Sequence, residues 1–210
     1  MRLTHLLAAL PFLVLPLAAP AHPHVWVDVA LKIETDTRGH ATGLIVGWSY
    51  DDFFTLLILE DMGLDPEADG VLTEDELARL KGFDLVEWPE GFEGDVYLET
   101  AAGPVTLSLP APLDVRVEEG RIIATHYRAI DPVPLDGLSL RTFDPTYFVD
   151  YRLAGISLPQ GCTARIDEAD EAAANKAVEE MTGQTTEELF EEIEIGHLYA
   201  DSARIICAGL

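Results

Sequence analysis

His24-Val-Trp-Val-Asp28-Val-Ala-Leu-Lys-Ile33, then Asp36-Thr-Arg-Gly39, then Ala41-Thr-Gly-Leu-Ile-Val-Gly-Trp-Ser-Tyr50, is the stretch on which the fold turns. Both flanks alternate or run apolar and are rich in β-branched and aromatic residues, and the middle is turn chemistry. The pattern predicts a pair of strands joined as a hairpin. In extended chain His22, His24, Trp26 and Asp28 share one face, and Val25, Val27 and Val29 share the other. Directly afterwards the period changes. Phe53, Phe54, Leu57, Ile58 and Met62 recur at helical spacing, with Asp51 or Asp52 as N-cap and Gly63 as stop.

Working outward, Thr73-Glu74-Asp75-Glu76 opens a second short helix with a capping threonine and acids in the first turn. Short strand patterns then return at 97–100, 105–109, 113–117, 122–130, 138–143 and 147–153, separated by Gly, Pro or Asp. Residues 168–194 read as helices broken at Thr182-Gly183, and 203–207 as a last strand. The expected class is α+β: a mostly antiparallel sheet or sandwich, an EF-hand-like helical hairpin inserted at 51–82, and a C-terminal helical segment.

The start of the chain has the form of a cleavable signal peptide over residues 1–21. Arg2 supplies the positive end, Leu6 to Ala19 the apolar run, and Ala19-Pro20-Ala21 the small residues of a cleavage site. The run is short for a membrane span and carries Pro11 and Pro16. One domain over 22–210 and export to the periplasm are expected, with no membrane insertion after cleavage. Without Arg2 the charge is −26, from 12 basic and 38 acidic residues. Such a charge repels nucleic acid and anionic membranes and attracts cations.

The processed chain would begin His22-Pro23-His24. A terminal histidine offers amine and imidazole together, and a second imidazole two residues on extends the set; neutral imidazoles suit Zn, Ni, Co and Cu. Pro23 has no amide proton, so a site built on a deprotonated backbone nitrogen is excluded. Two histidines need further ligands, and His126, Asp28, Asp51 and Asp52 are the candidates. The plain alternative is a polar lead-in to the first strand.

Asp65-Pro-Glu67-Ala-Asp69-Gly70-Val71-Leu-Thr73-Glu-Asp-Glu76 follows the pattern of a twelve-residue calcium loop. Asp65, Glu67, Asp69, Val71, Thr73 and Glu76 hold the ligand positions, and Gly70 the sharp turn. Glu67 stands where a shorter acid is usual and Pro66 stiffens the start, so an ion-free turn of the same shape is the alternative. Cys162 and Cys207 are the two cysteines. In an exported chain a disulfide is the economical reading, thiolate metal ligands the other. No phosphate loop, nucleophile elbow, zinc-protease helix or haem motif occurs, so no catalytic residues are expected.

These pieces together resemble the DUF1007 family. The resemblance rests on His22-Pro-His24-Val-Trp-Val-Asp28, Trp48-Ser-Tyr50-Asp-Asp-Phe53-Phe54, the acidic loop 65–76, Phe143-Asp-Pro-Thr-Tyr147-Phe148 and Gly196-His-Leu-Tyr-Ala200 with Cys207. It implies a periplasmic protein associated with nickel/cobalt-type or other divalent-metal transport, and therefore an inner-membrane transporter as partner. The leading expectation is a metal-binding accessory protein. A structural or interaction module with a calcium-binding loop comes second, and a copper or zinc enzyme third.

Overall fold

Alternation decides the first two strands. In β1 (Val25–Thr35) Val25, Val27, Val29, Leu31 and Ile33 are buried, while Trp26, Ala30 and Lys32 face outward. Each buried aliphatic side chain contributes roughly 1.5–3 kcal/mol. β2 (His40–Tyr50) returns antiparallel and buries Leu44, Val46, Trp48 and Tyr50. Gly39, at φ +78°, completes the turn, and the Asp36 carboxylate accepts the Arg38 and His40 amides. The structure, a computed structural model, describes residues 23–88, 92–183 and 194–208. The expected signal peptide and His22 lie outside those residues, as do 184–193 of the expected C-terminal helical stretch.

The remaining strands are β3 (Val96–Thr100), β4 (Gly103–Val105), β5 (Ala111–Glu118), β6 (Arg121–Pro134), β7 (Ser139–Thr142), β8 (Val149–Ser157), β9 (Cys162–Asp167) and β10 (Asp201–Cys207). They form two five-stranded sheets, in the orders β5-β6-β2-β1-β8 and β4-β3-β7-β10-β9. Their inner faces share one apolar core, in which Val29, Leu44 and Ile122 of the first sheet and Leu140 and Ile205 of the second are fully buried. The α+β expectation therefore holds at the level of class, with two additions. β8 lies parallel to β1, a pairing between segments over a hundred residues apart. β9 was not expected, because Cys-Thr-Ala-Arg-Ile-Asp carries little apolar alternation; among the described residues it is an outer strand paired with β10 alone. The expected strand at 105–109 shrinks to the end of β4 and a single bridge from Leu107 to Ile130.

Among the described residues three α-helices pack on this frame. α1 (Asp52–Asp61) is fixed to the first sheet by Thr55, whose buried hydroxyl accepts the Ile122 amide at 2.9 Å. α2 (Glu74–Leu80) buries Leu80, and α3 (Glu171–Thr182) buries Ala174 and Val178 in a small satellite core with Tyr147, Ile195 and Tyr199. Cys162 and Cys207 face each other across β9 and β10 and form a disulfide, which closes the thiolate-ligand alternative. Among the described residues no helix is long and apolar enough to cross a membrane.

Candidate functional site

The end of the first sheet where β1 begins and β2 runs into α1 is held by two polar devices. Asp51 caps α1, accepting the Phe54 amide at 2.8 Å, and its other oxygen accepts the Trp26 amide at 2.9 Å. The Asp51 amide donates back to the Trp26 carbonyl. One aspartate thus ends a strand pair, starts a helix and ties both to β1. Beside it Arg121, the first residue of β6, spends its guanidinium on three acceptors: Asp28 at 2.6 Å, the Tyr50 carbonyl at 2.7 Å and the Ser49 carbonyl at 2.7 Å.

Above these devices opens a cleft of about 350 Å³, walled by Asp28, Asp51, Asp52, Glu119 and Asp150 with Arg121 and Arg152. Trp26 forms part of its rim. Three of the residues expected as metal ligands, Asp28, Asp51 and Asp52, are therefore brought together. Asp28 is engaged by Arg121 and Asp51 by two amides, which leaves Asp52, exposed and accepting the Phe53 amide, as the least committed of the three. Asp150 is half-buried, and burial pushes its carboxyl above the usual range. Arg152 opposes that shift, while Glu171, Asp201 and Asp28 add to it.

A second cleft of about 250 Å³ adjoins the first through Asp150 and Arg152. Its base is the stacked pair Tyr147 and Tyr199, 3.9 Å between ring centres, and its walls include Glu168, Glu171 and Asp201. The Asp-Pro-Thr-Tyr and Gly-His-Leu-Tyr motifs meet here as one unit. The Asp144 carboxylate accepts from the Thr146, Phe148 and Val149 amides and from the Thr146 hydroxyl. That turn holds Tyr147 at φ +61°. Gly196 donates its amide to Pro145, and a Cβ at Gly196 would stand 1.7 Å from the Asp144 carbonyl oxygen. Glycine is required there by close approach.

The histidines separate. His24 is exposed at the start of β1; its amide donates to the Phe148 carbonyl at 2.9 Å and its ring lies 4.8 Å from that of Phe148. It shares its strand parity with Trp26 and Asp28, both of which line the cleft. His126 does not join it, and the expectation that it completes the same metal shell is corrected. His126 is opposite Val46, which is opposite Leu31. That level is seven residues along β1 from His24, roughly 23 Å at the usual strand rise. His126 is 1 % exposed, packed edge-on to Trp48 at 4.7 Å, and among the described residues neither ring nitrogen has a hydrogen-bond partner. Burial first, and Arg128 second, push its pKa down to about 4, so it is neutral at ordinary pH.

In the loop between α1 and α2 the Asp65 carboxylate accepts the Asp69 and Gly70 amides, and Asp69 accepts the Val71 amide. Glu76 reaches back to the Asp65 amide at 3.0 Å and to the Thr73 amide and hydroxyl at 2.8 and 2.7 Å. Chiefly through the Thr73 amide, these bonds hold its carboxyl below the usual range. Glu67 is exposed. Among the described residues no group of three or more His, Cys, Asp or Glu is arranged to hold a metal.

Sequence reasoning missed Glu119, Arg121, Asp150 and Arg152, which the cleft gathers from the β5–β6 turn, β6 and β8. The family model for DUF1007, described as a protein of unknown function, matches residues 7–207. The chain belongs to the DUF1007 family. The match spans nearly the whole chain, both sheets and both clefts included. No curated protein matches it.

Proposed function

We propose that this DUF1007 chain is an exported, non-enzymatic accessory protein that binds a divalent transition metal (Zn, Ni, Co or Cu) and presents it to an inner-membrane metal transporter. The observation that carries the reading is the placement of His24. It is exposed and shares the strand parity of Trp26 and Asp28, which line a cleft whose walls carry five carboxylates. In a protein processed before His22, the terminal amine, the His22 imidazole and the His24 imidazole would be the exchangeable ligands. Of the three acids expected as ligands, Asp52 carries the fewest hydrogen bonds and would join them, and the remaining acids raise the local cation concentration. Processing in the periplasm is part of the reading, and the Cys162–Cys207 disulfide suits that oxidising compartment. Calorimetric titration of the processed protein with each metal, against a His22→Ala/His24→Ala variant, tests it. Binding lost in the variant is expected; unchanged affinity sinks the assignment.

One observation favours a second reading, a structural or interaction module with a calcium-binding EF-hand-like loop. Asp65 and Glu76, at the first and last loop positions, both turn inward onto the loop backbone. Calcium would then raise the melting temperature by mass action, and Glu76→Gln would abolish the rise. An unchanged melting point in excess calcium removes this reading.

A further inference from the structure

α1 presents two apolar faces, and among the described residues only one of them is covered. Thr55 and Leu59 are buried and Phe54 and Ile58 pack on the core, yet Phe53, Leu56 and Leu57 are 65, 64 and 46 % exposed. At i, i+3 and i+4 these three form one ridge on the outside of the helix. Helix propensity alone does not call for a phenylalanine and two leucines in water, and such a ridge is a signature of a docking surface. Trp26, whose amide is held by Asp51, exposes its ring at the start of the same helix. The charges beside the ridge are Asp52, Glu60 and Asp61, and the helix itself carries no base. The neighbouring Arg79 is turned onto the Met62 carbonyl at the C-terminal end of the helix.

We infer that the Phe53–Leu56–Leu57 ridge of α1 is a docking surface for a partner-protein segment that presents apolar side chains between lysines or arginines. Charge complementarity selects this occupant. A second copy packed ridge to ridge would set Asp52, Glu60 and Asp61 against the same acids, and an anionic lipid surface would meet a chain of net charge −25. A basic amphipathic segment meets apolar surface at the ridge and opposite charge on its flanks. The surface goes beyond the metal reading and does not depend on it: docking here needs no ion. Its position matters for that reading all the same, since a partner on α1 would stand at the Asp51–Asp52 end of the cleft.

The test uses the processed protein in chelator and a fluorescently labelled amphipathic helical peptide of leucines and lysines, followed by anisotropy. A peptide with the same leucines and glutamate for lysine is the charge control. Phe53→Ser/Leu57→Ser removes the ridge at exposed positions, and Val86→Ser, at an exposed apolar position outside the ridge, is the surface control. Near-UV circular dichroism confirms that each variant is folded. The expected result is binding of the lysine peptide by wild type and Val86→Ser, weakened about tenfold or more in the ridge variant and by added salt. Equal affinity in the ridge variant would mean that net charge alone drives binding and would overturn the inference. Failure of wild type to bind, or equal binding of the glutamate peptide, would also overturn it. A concentration-dependent dimer that the ridge variant loses would assign the face to a second copy instead.

Discussion

Asp95 lies between the sheets at the start of β3, 5 % exposed, with φ +56°. One carboxylate oxygen accepts the Tyr151 hydroxyl at 2.9 Å and the other has no partner among the described residues. Burial, with Asp144 adding and Tyr151 opposing, raises its pKa from 3.8 to about 7. Between those values the folded protein keeps a proton that the unfolded chain has shed. Stability therefore falls as pH rises from about 4 to about 7 and is level above. Three units at 1.36 kcal/mol each set the penalty of the charged form on the order of 4 kcal/mol. Asp95→Asn keeps an acceptor for Tyr151 and removes the charge, but its amide nitrogen inherits the unpartnered position, which costs about 1–2 kcal/mol. The variant should be more stable than wild type by roughly 2–3 kcal/mol at pH 8, and less stable by about 1–2 kcal/mol at pH 4. Urea unfolding followed by far-UV circular dichroism at the two pH values measures the difference. A stability difference independent of pH would refute the buried, uncompensated carboxyl.

His126 acts in the opposite sense: its folded pKa of about 4 lies below the unfolded value of 6.5, so stability falls as pH drops through that window. His126→Leu should flatten the acid limb of the urea profile and leave pH 7.5 little changed, and a variant with the wild-type acid slope would contradict the burial argument. Cys162→Ser/Cys207→Ser, or reduction of the wild type, should cost about 2–4 kcal/mol in the same assay because the bridge spans a separation of 45 residues; no loss would mean that β9 is held by its strand pairing alone. Gly196→Ala should cost about 2–4 kcal/mol, since its Cβ would meet the Asp144 carbonyl at 1.7 Å, and should loosen the Tyr147–Tyr199 stack; an unchanged near-UV spectrum and melting point would count against that coupling.

What could be read in advance followed the range of each signal. β1, β2 and α1 were legible because alternation and helical period are local, and Asp51 announced itself as a cap from the acids that precede Phe53. The cleft was half legible. Asp28, Asp51 and Asp52 lie on one local segment, but Arg121 reaches Asp28 across 93 residues, and Asp150 and Arg152 arrive through the parallel pairing of β8 with β1. Nothing local encodes that pairing. His126 was the avoidable error. Ile122, Ala124, His126, Arg128 and Ile130 share one parity of β6 and all are buried, so the apolar members of that row already placed the histidine inside. β9 stayed hidden because an outer strand with one large apolar residue reads as loop.

The proposed metal site is tested most directly by purifying the untagged protein from the periplasm and taking its intact mass together with elemental analysis. The account predicts a chain that begins at His22 and carries a near-stoichiometric transition metal, which the His22→Ala/His24→Ala variant lacks. A correctly processed chain with no metal, or with calcium alone, would contradict it.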